Sequence, residues 1–468
     1  MKKYIIFLTL ITNTAYSASL LDKYPGNEKH VRPQLNESSK FNNFLDKNFS
    51  GSIGTSYVDS NSGTRQSNFL QARIDYDNKY SRLVIDGQYI DSSIEMTQTD
   101  AITGNERNIE YSYSDPEFLE TYVDLKLLSN LTLSTGLKKI VWGQFEPFSP
   151  IDFALPIYFS RNYVEYTKSK GRVPKENISL TYYPHPKIEI SGYFFPEYEI
   201  DPIIEEINTG DNVEIPTGSD LYQSAGRIMF YPEFATFGFT YFNGFNHMQN
   251  SQGYYYNSGS TIKDPFLIEN EMFGFEFAKQ FDNYNLKFEY SISDQMTDLS
   301  TYTSNSNYLS WVQNDNNNKF YVDGKLHFGA LGVKFARGLW NYDLMVYYYK
   351  VAYDDNAQIG VDYDEVITGD SNDGPTDIGN LLPSFNISRY ASSKRNTKFG
   401  LAAGVLGVGQ GVAIYANGNI NESFEWLLAT EYLEYFSNMM IDDANDDNNY
   451  ESEDDLIFGV RASLQYKF

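Results

Sequence analysis

The chain has 468 residues, a formal net charge of −26 and no cysteine. Without cysteine it can form neither disulfides nor thiolate metal sites, and so acidic a chain is a poor ligand for nucleic acid. It contains 40 tyrosines and 33 phenylalanines, yet its mean hydropathy is −0.46. No run approaches the roughly 20 apolar residues of a membrane-spanning helix, which excludes helical membrane proteins.

The amino-terminus has the regions of a secretory signal peptide. Met1, Lys2 and Lys3 form a short basic region, residues 4–11 are apolar, and residues 15–17 read Ala-Tyr-Ser. Signal peptidase reads small residues at such positions, and the apolar stretch is too short to span a membrane as a helix. We therefore predict that residues 1–17 are a signal peptide, cleaved before Ala18.

From residue 49 onward, short segments alternate apolar and polar residues. The pattern recurs in residues 70–76, 82–89, 119–126, 187–194, 286–292 and 458–468. A period of two is typical of β-strands with one apolar and one polar face. Charged residues occupy only one face, as in the strands of a membrane barrel, where polar side chains line a wet lumen.

Short turns and longer polar connections also alternate. The longer connections are predicted at residues 91–116, 143–175, 196–220, 246–268, 295–318, 354–394 and 437–455. We predict turns near residues 77–79, 129–130, 184–186, 232–233, 282–283, 337–338 and 421–422. These hairpins, a first strand near residues 49–58 and the closing strand give about 16 strands, within a range of about 14–18. The predicted fold is all-β: a transmembrane antiparallel β-barrel over residues 49–468, with long extracellular loops and short periplasmic turns.

Two segments leave alternatives open. Residues 398–420 are rich in glycine and too long for an ordinary strand. They form either one long, kinked strand or two strands, and a further strand near residues 158–167 would then give about 18 in total. Residues 18–48, before the barrel, are either a periplasmic lead-in or a small plug.

The last strand ends on Phe468, with Tyr466 and Leu464 two and four places earlier. This ending resembles the closing strand of bacterial outer-membrane β-barrels, in which the last residues are the assembly signal. The resemblance implies an integral, multi-pass protein of the outer membrane of a Gram-negative bacterium. Its implied partners are outer-membrane lipid, lipopolysaccharide and the barrel-assembly machinery. The resemblance leaves open whether the protein forms a homo-oligomer.

Residues 139–152, in the third long loop, read Lys-Ile-Val-Trp-Gly-Gln-Phe-Glu-Pro-Phe-Ser-Pro-Ile-Asp. Prolines and aromatic residues at this density predict a packed, rigid excursion. The Gly-Gln-Phe-x-x-Pro-Phe run is similar to a segment of phosphate-selective porins, and Trp-Gly with Ser-Pro-x-Asp resembles another group of proteobacterial barrels.

In many sixteen-stranded porins the third loop folds inside the barrel and narrows the pore. The resemblance therefore implies a porin or channel for passive diffusion of small hydrophilic solutes or ions. Its pore constriction would include Trp142, Glu146, Asp152 and Arg161. The alternative is that the aromatic residues of this loop only anchor the membrane interface.

Alternation also predicts which charged residues line the lumen. They are the basic residues Arg73, Arg82, Lys126, Lys287, Lys325, Arg461 and Lys467 and the acidic residues Asp75, Asp86, Glu120, Asp124, Glu289 and Asp323. Such a mixed wall passes small hydrophilic solutes without identifying one. The acidic run at residues 442–447 lacks the central glycine and the alternation of a calcium loop, so we predict a solvated loop, with no metal site and no cofactor.

An enzyme would need a general base held by a second polar group. The histidines are His30, His185, His247 and His327, and none lies within a serine or aspartate motif. His327 is predicted to share the lumenal face with Lys325. We predict no enzyme; the alternatives to a channel are a non-channel surface barrel, such as a receptor, adhesin or accessory transport component, and more remotely an outer-membrane hydrolase.

Overall fold

The computed structural model describes sixteen stretches of the chain. They are residues 48–60, 63–99, 106–145, 149–152, 174–197, 221–245, 252–257, 260–267, 269–298, 321–353, 380–392, 394, 396–406, 409–420, 423–435 and 456–467. The predicted signal peptide and the predicted lead-in or plug lie outside the described residues, apart from Asn48. No helix within these stretches is long and apolar enough to cross a membrane.

The described residues form β-strands joined by turns. The strands are β1 (Phe49–Ser60), β2 (Gly63–Asp77), β3 (Ser81–Thr99), β4 (Glu106–Leu128), β5 (Leu131–Lys138), β6 (Lys175–His185), β7 (Ile188–Phe195), β8 (Gln223–Phe230), β9 (Thr236–Phe245), β10 (Gln252–Asn257), β11 (Ser260–Leu267), β12 (Glu269–Gln280), β13 (Tyr284–Asp298), β14 (Tyr321–Arg337), β15 (Trp340–Tyr353), β16 (Asn380–Tyr390), β17 (Thr397–Leu406), β18 (Gly409–Asn419), β19 (Phe424–Tyr435) and β20 (Leu456–Lys467).

Eighteen of these strands form one closed antiparallel sheet. Each strand pairs with its neighbour in sequence, except that β9 pairs with β12 because β10 and β11 form a separate hairpin between them. The ring closes where β1 pairs with β20, with Ser52 opposite Lys467 and Ser60 opposite Gly459. The predicted all-β antiparallel barrel is confirmed, and its strand number lies at the upper end of the predicted range.

Three of the predicted long connections contain strands among their described residues: residues 91–116, 246–268 and 354–394. Residues 380–390, predicted as part of a long loop, form β16, and the glycine-rich segment forms two strands, β17 and β18. The second alternative for that segment is therefore correct, although residues 158–167 lie outside the described part of the chain. The predicted loop from Asp91 to Pro116 is also mostly strand, because β3 and β4 continue to Thr99 and from Glu106.

The burial of side chains alternates along the barrel strands. On β6, Ile178 and Leu180 are 52% and 45% exposed, whereas Asn177 and Ser179 are 2% and 4% exposed. The polar face therefore points into the barrel and the apolar face points outward, the reverse of a water-soluble protein. Outward-facing apolar side chains occur around the ring, on β1, β2, β9, β12, β14, β15, β17, β19 and β20, as Ile53, Leu70, Phe239, Phe273, Leu331, Leu344, Leu401, Leu428 and Leu464.

An apolar surface that encircles the whole molecule cannot be left in water. Keeping one leucine or phenylalanine side chain exposed to water costs roughly 1.5–3 kcal/mol relative to burying it. Contiguous apolar patches of this extent mark a surface that is covered, and a closed sheet leaves no unpaired backbone to face lipid. The outer surface of this barrel is therefore suited to the hydrocarbon core of a membrane.

Candidate functional site: a chain segment inside the barrel

The connection that follows β5 folds into the barrel. We call residues 139–145 and 149–152, the described part of this connection, the inserted segment. It leaves the wall at Lys138 because β5 has only 8 residues, whereas its neighbour β4 has 23. At its start, the Lys139 backbone N–H donates to Glu120 Oε1 on β4 over 3.3 Å.

One part of the inserted segment packs on the wall formed by β7, β8, β9 and β12. Ile140, Trp142 and Ile151 of the segment, which are 6%, 1% and 0% exposed, form an apolar cluster with inward-facing residues of this wall: Phe195, Ala225, Phe242 and Met272. The Trp142 ring meets the Tyr193 ring edge-on at a centroid distance of 5.5 Å. Gly274 of β12 makes room for the Ile151 side chain, since a Cβ atom at residue 274 would lie 2.6 Å from Ile151 Cγ2.

Another part of the segment packs on the wall formed by β14, β15 and β16. Phe145, 2% exposed, contacts Ala330, Met345, Tyr347 and Leu382. Its ring lies 6.1 Å from the Tyr347 ring, edge-on. These contacts follow the inside of the barrel from β7 to β16, so the inserted segment covers one side of the lumen.

Polar contacts fix the segment between these two apolar contacts. The carboxylate of Glu289 on β13 accepts a hydrogen bond from the Gln144 backbone N–H and another, 2.5 Å long, from the Ser149 hydroxyl. Lys287, two residues earlier on the same face, donates to the Gln144 carbonyl over 3.0 Å. Charge-assisted hydrogen bonds of this kind are about twice as strong as neutral ones, so Glu289 and Lys287 hold the segment by its backbone.

Asp152 stabilises the segment itself. Its Oδ1 accepts a hydrogen bond from the Trp142 backbone N–H at 3.3 Å, and its own N–H donates to the Ser149 carbonyl at 3.2 Å. The structure therefore brings two predicted constriction residues, Trp142 and Asp152, inside the barrel. The other two, Glu146 and Arg161, lie outside the described residues.

The predicted lumen-wall residues of β2, β3 and β4 form a network of ion pairs. Arg73 contacts Asp86 at 3.0 Å and Glu120 at 2.7 Å. Arg82 contacts Asp75 at 2.6 Å. Further along, Lys138 of β5 contacts Asp124 at 3.1 Å, and Lys126 contacts Asp77 near the turn at 2.6 Å. Each of these four cations is matched by at least one carboxylate, and five carboxylates take part, so this wall is strongly polar with one negative charge in excess.

Lys325 lies on the other face. Leu326 and Ala330 of β14, 7% and 2% exposed, face the lumen, so Lys325 is on the outward face, where it forms an ion pair with Asp294. His327 shares that face and lies 2.7 Å from the Tyr290 hydroxyl. The prediction that these two residues line the lumen is therefore wrong. Both lie toward the long-loop end of β14, where an outward polar group is close to the edge of the hydrocarbon region.

The remaining predicted residues fall on β20 or at its end. Leu464 and Tyr466 face outward with 43% and 37% exposure, and Phe468 lies outside the described residues. Arg461 pairs in register with Ala429 of β19 and Val58 of β1.

Tyrosines line the turn end of β6, β7 and β8. The hydroxyls of Tyr183 and Tyr231 both donate to Glu189 Oε2, each over 3.1 Å. Tyr231 lies in the turn after β8, where burial and the nearby Glu189 carboxylate raise the pKa of its phenol. Within the described part of the chain, no three His, Cys, Asp or Glu side chains are grouped closely enough to hold a metal ion. The acidic run at residues 442–447 lies outside that part.

A closed antiparallel barrel with an apolar outside, a polar inside and a folded-in chain segment defines a membrane-spanning β-barrel protein. No family model matches the chain, and no curated protein matches it in sequence.

Solved structures of similar overall shape include three bacterial proteins. OccAB1 of Acinetobacter baumannii is 12% identical, with 90% of this chain and 96% of that chain aligned and a TM-score of 0.46. OpdK of Pseudomonas aeruginosa, crystallised with vanillate, is 9% identical over 91% of this chain and 99% of its own, with a TM-score of 0.44. OprB of Pseudomonas putida is 10% identical over 91% and 96%, with a TM-score of 0.42.

Proposed function

We propose that this protein is an outer-membrane channel through which small hydrophilic solutes or ions diffuse passively. The observation that carries the proposal is the inserted segment, which lies inside an 18-stranded barrel and covers one side of its lumen. A barrel built for anchoring alone needs no such interior structure, whereas a channel needs a narrowed passage that selects by size and polarity.

The solute path is expected along the other side of the lumen. The described contacts of the inserted segment reach β4 and the wall from β7 to β16. Apart from β5, from which the segment starts, and β6, this leaves β17 to β20 and β1 to β3 as the facing wall. Inward-facing groups there include neutral polar side chains, such as Ser52, Ser56, Asn417 and Gln465, beside apolar ones such as Tyr415 and Leu427. Together with the ion pairs around Arg73, the polar groups offer hydrogen bonds and paired charges, which suits small hydrophilic solutes.

The orientation of the barrel follows from its connections. In outer-membrane barrels, short turns face the periplasm and long loops face outside. The two-residue turns at 129–130, 186–187 and 338–339 would therefore lie in the periplasm. Lipopolysaccharide would surround the opposite end, and the barrel-assembly machinery would recognise Leu464, Tyr466 and Phe468. The function requires no chemical step and no cofactor.

A planar-bilayer recording with purified protein tests the proposal. We expect discrete conductance steps, because they require a continuous aqueous path. A correctly folded, heat-modifiable barrel that never conducts would refute the channel and favour a non-channel surface barrel.

The constriction itself is a second part of the proposal. We propose that Trp142, Glu146, Asp152 and Arg161 shape the narrowest passage, where a charge in low dielectric acts on a passing ion more strongly than one on an outer loop. Glu146→Gln with Asp152→Asn should then shift selectivity toward anions. Neutralising the acids of residues 442–447 is the control and should have a smaller effect that fades with salt. A larger shift in reversal potential for the control would contradict this assignment.

A further inference from the structure

Two buried carboxylates face each other on adjacent strands. Glu276 of β12 and Glu289 of β13 are direct partners in register, and each is 1% exposed. Like charges in this position repel each other, and burial removes the water that would otherwise stabilise them. Each carboxylate therefore needs its own compensating groups.

The negative charge of Glu276 is compensated by an arginine of the barrel wall. Arg227 of β8 donates to Glu276 Oε1 through Nε at 2.9 Å and through Nη2 at 2.5 Å. The guanidinium reaches across β9, whose Gly238 is the partner of Glu276 in register. This ion pair joins strands that the sheet already holds together, so it does not depend on the inserted segment.

Glu289 is bonded from the inserted segment. Its two oxygens accept hydrogen bonds from the Gln144 N–H and the Ser149 hydroxyl, which precede and follow Phe145 in the chain. Gly143 allows the approach: its φ is +73°, and a Cβ atom there would lie 2.6 and 2.7 Å from the two Glu289 oxygens. The segment and the carboxylate thus fit closely enough to exclude a single methyl group.

We propose that Glu289 is the positioning residue that holds the inserted segment against the wall and thereby sets the width of the channel. The effect on channel width rests on the proposed function. The positioning of the inserted segment by Glu289 is a property of the folded barrel and does not rest on that function. Trp142 and Phe145 pack on the wall on either side of Glu289. The carboxylate fixes the position of the chain between these two apolar contacts.

A single introduced thiol can report whether the segment is in place, because the chain has no cysteine of its own. Ala330 is 2% exposed, is the partner of Glu289 in register and belongs to the same buried cluster as Phe145. In an Ala330→Cys protein, a charged thiol reagent should react only when Phe145 lifts away. Adding Glu289→Gln should raise the reaction rate about tenfold for each charge-assisted hydrogen bond lost. It should also lower single-channel conductance, because a segment released from its wall moves toward the solute path.

Glu276→Gln is the matched control, since it changes the same group on the same face one strand away. It should weaken the barrel through Arg227 but leave the reaction rate of the introduced thiol unchanged. Ser149→Ala removes one of the two hydrogen bonds to Glu289, this time by changing the inserted segment. Combined with Glu289→Gln, it should raise the rate by less than the product of the two single effects, because both changes remove the same contact.

The labelling is done on folded barrels in detergent, identified by their heat-dependent mobility in gels, so it does not require conductance. An unchanged rate in both Glu289→Gln and Ser149→Ala, or an equal rise in Glu276→Gln, would overturn the positioning role. If Glu289→Gln does not fold, Ser149→Ala alone decides. Faster labelling in a barrel that never conducts would refute the channel while supporting the role of Glu289.

Discussion

Neighbouring positions on β20 should respond oppositely to the same substitution. Leu464 faces outward and is 43% exposed, whereas Gln465 faces the lumen and is 7% exposed. We expect Leu464→Arg to destabilise the barrel and Gln465→Arg to be tolerated, because only the first places a charge in lipid.

The magnitude follows from the height of Leu464 in the membrane. Leu464 lies three positions before Lys467, the last residue of β20, which puts it about 8 Å above the strand end at roughly 3.4 Å per residue and a tilt of about 40°. The apolar band is about 25 Å tall, and an outward arginine costs about 2–4 kcal/mol at its midplane and less near its edges. We therefore expect Leu464→Arg to lower the free energy of unfolding by about 2 kcal/mol.

Gln465→Arg should change that free energy by no more than about 0.5 kcal/mol. Its register partners are Gly54 of β1 and Glu425 of β19, and Glu425 already forms an ion pair with Lys467 at 2.7 Å. Denaturant unfolding in phospholipid vesicles, followed by tryptophan fluorescence, gives both values. Equal losses at the two positions would show that the assignment of inner and outer faces is incorrect.

Three further perturbations have defined outcomes. Deleting Phe468 should leave the protein degraded or stalled in the periplasm, which fractionation and heat-modifiable mobility would show; normal barrels in the outer membrane would contradict the assembly role. Gly143→Ala should narrow the channel, because the new methyl group would push the inserted segment off Glu289 and toward the solute path, and unaltered single-channel conductance would argue against it. Arg227→Leu should cost about 3–5 kcal/mol of unfolding free energy by leaving Glu276 buried without its cation, and Arg227→Leu with Glu276→Leu should recover much of this loss.

The sequence predicts the barrel well because membrane strands must alternate, and alternation is visible residue by residue. It misses β16 because Pro383 lies in that strand, and proline normally argues against strand structure. In the barrel, Pro383 is paired with Val346 of β15, whereas the ladder to β17 begins only at Ser384. The missing N–H of Pro383 therefore breaks no bond to β17, a circumstance that the sequence does not reveal.

The candidate site is less predictable. The rule that charged residues face the lumen predicts a lumenal Lys325. That rule holds only within the hydrocarbon region of the membrane. Lys325 and Asp294 form their ion pair on the outer face, near the strand ends. Alternation places Glu289 on the lumen wall correctly, yet its partners at Gln144 and Ser149 are 145 and 140 residues away. One of them is a backbone N–H, which leaves no trace in residue identity.

The pairing of β1 with β20 makes closure of the barrel depend on the order in which the strands are made as well as on their stability. Every other neighbouring pair in the ring is available soon after its strands are made, but residues 49–60 must wait for residues 456–467. The entropy of closing so long a loop is modest, since each doubling of loop length adds only about 0.6 kcal/mol. The hazard is the wait, during which β1 and the latest strand expose unpaired N–H and C=O groups that can pair with another chain. A factor that assists this protein would therefore help most by covering two strand edges until the last strand arrives, and it would need to contribute little to the stability of the finished ring.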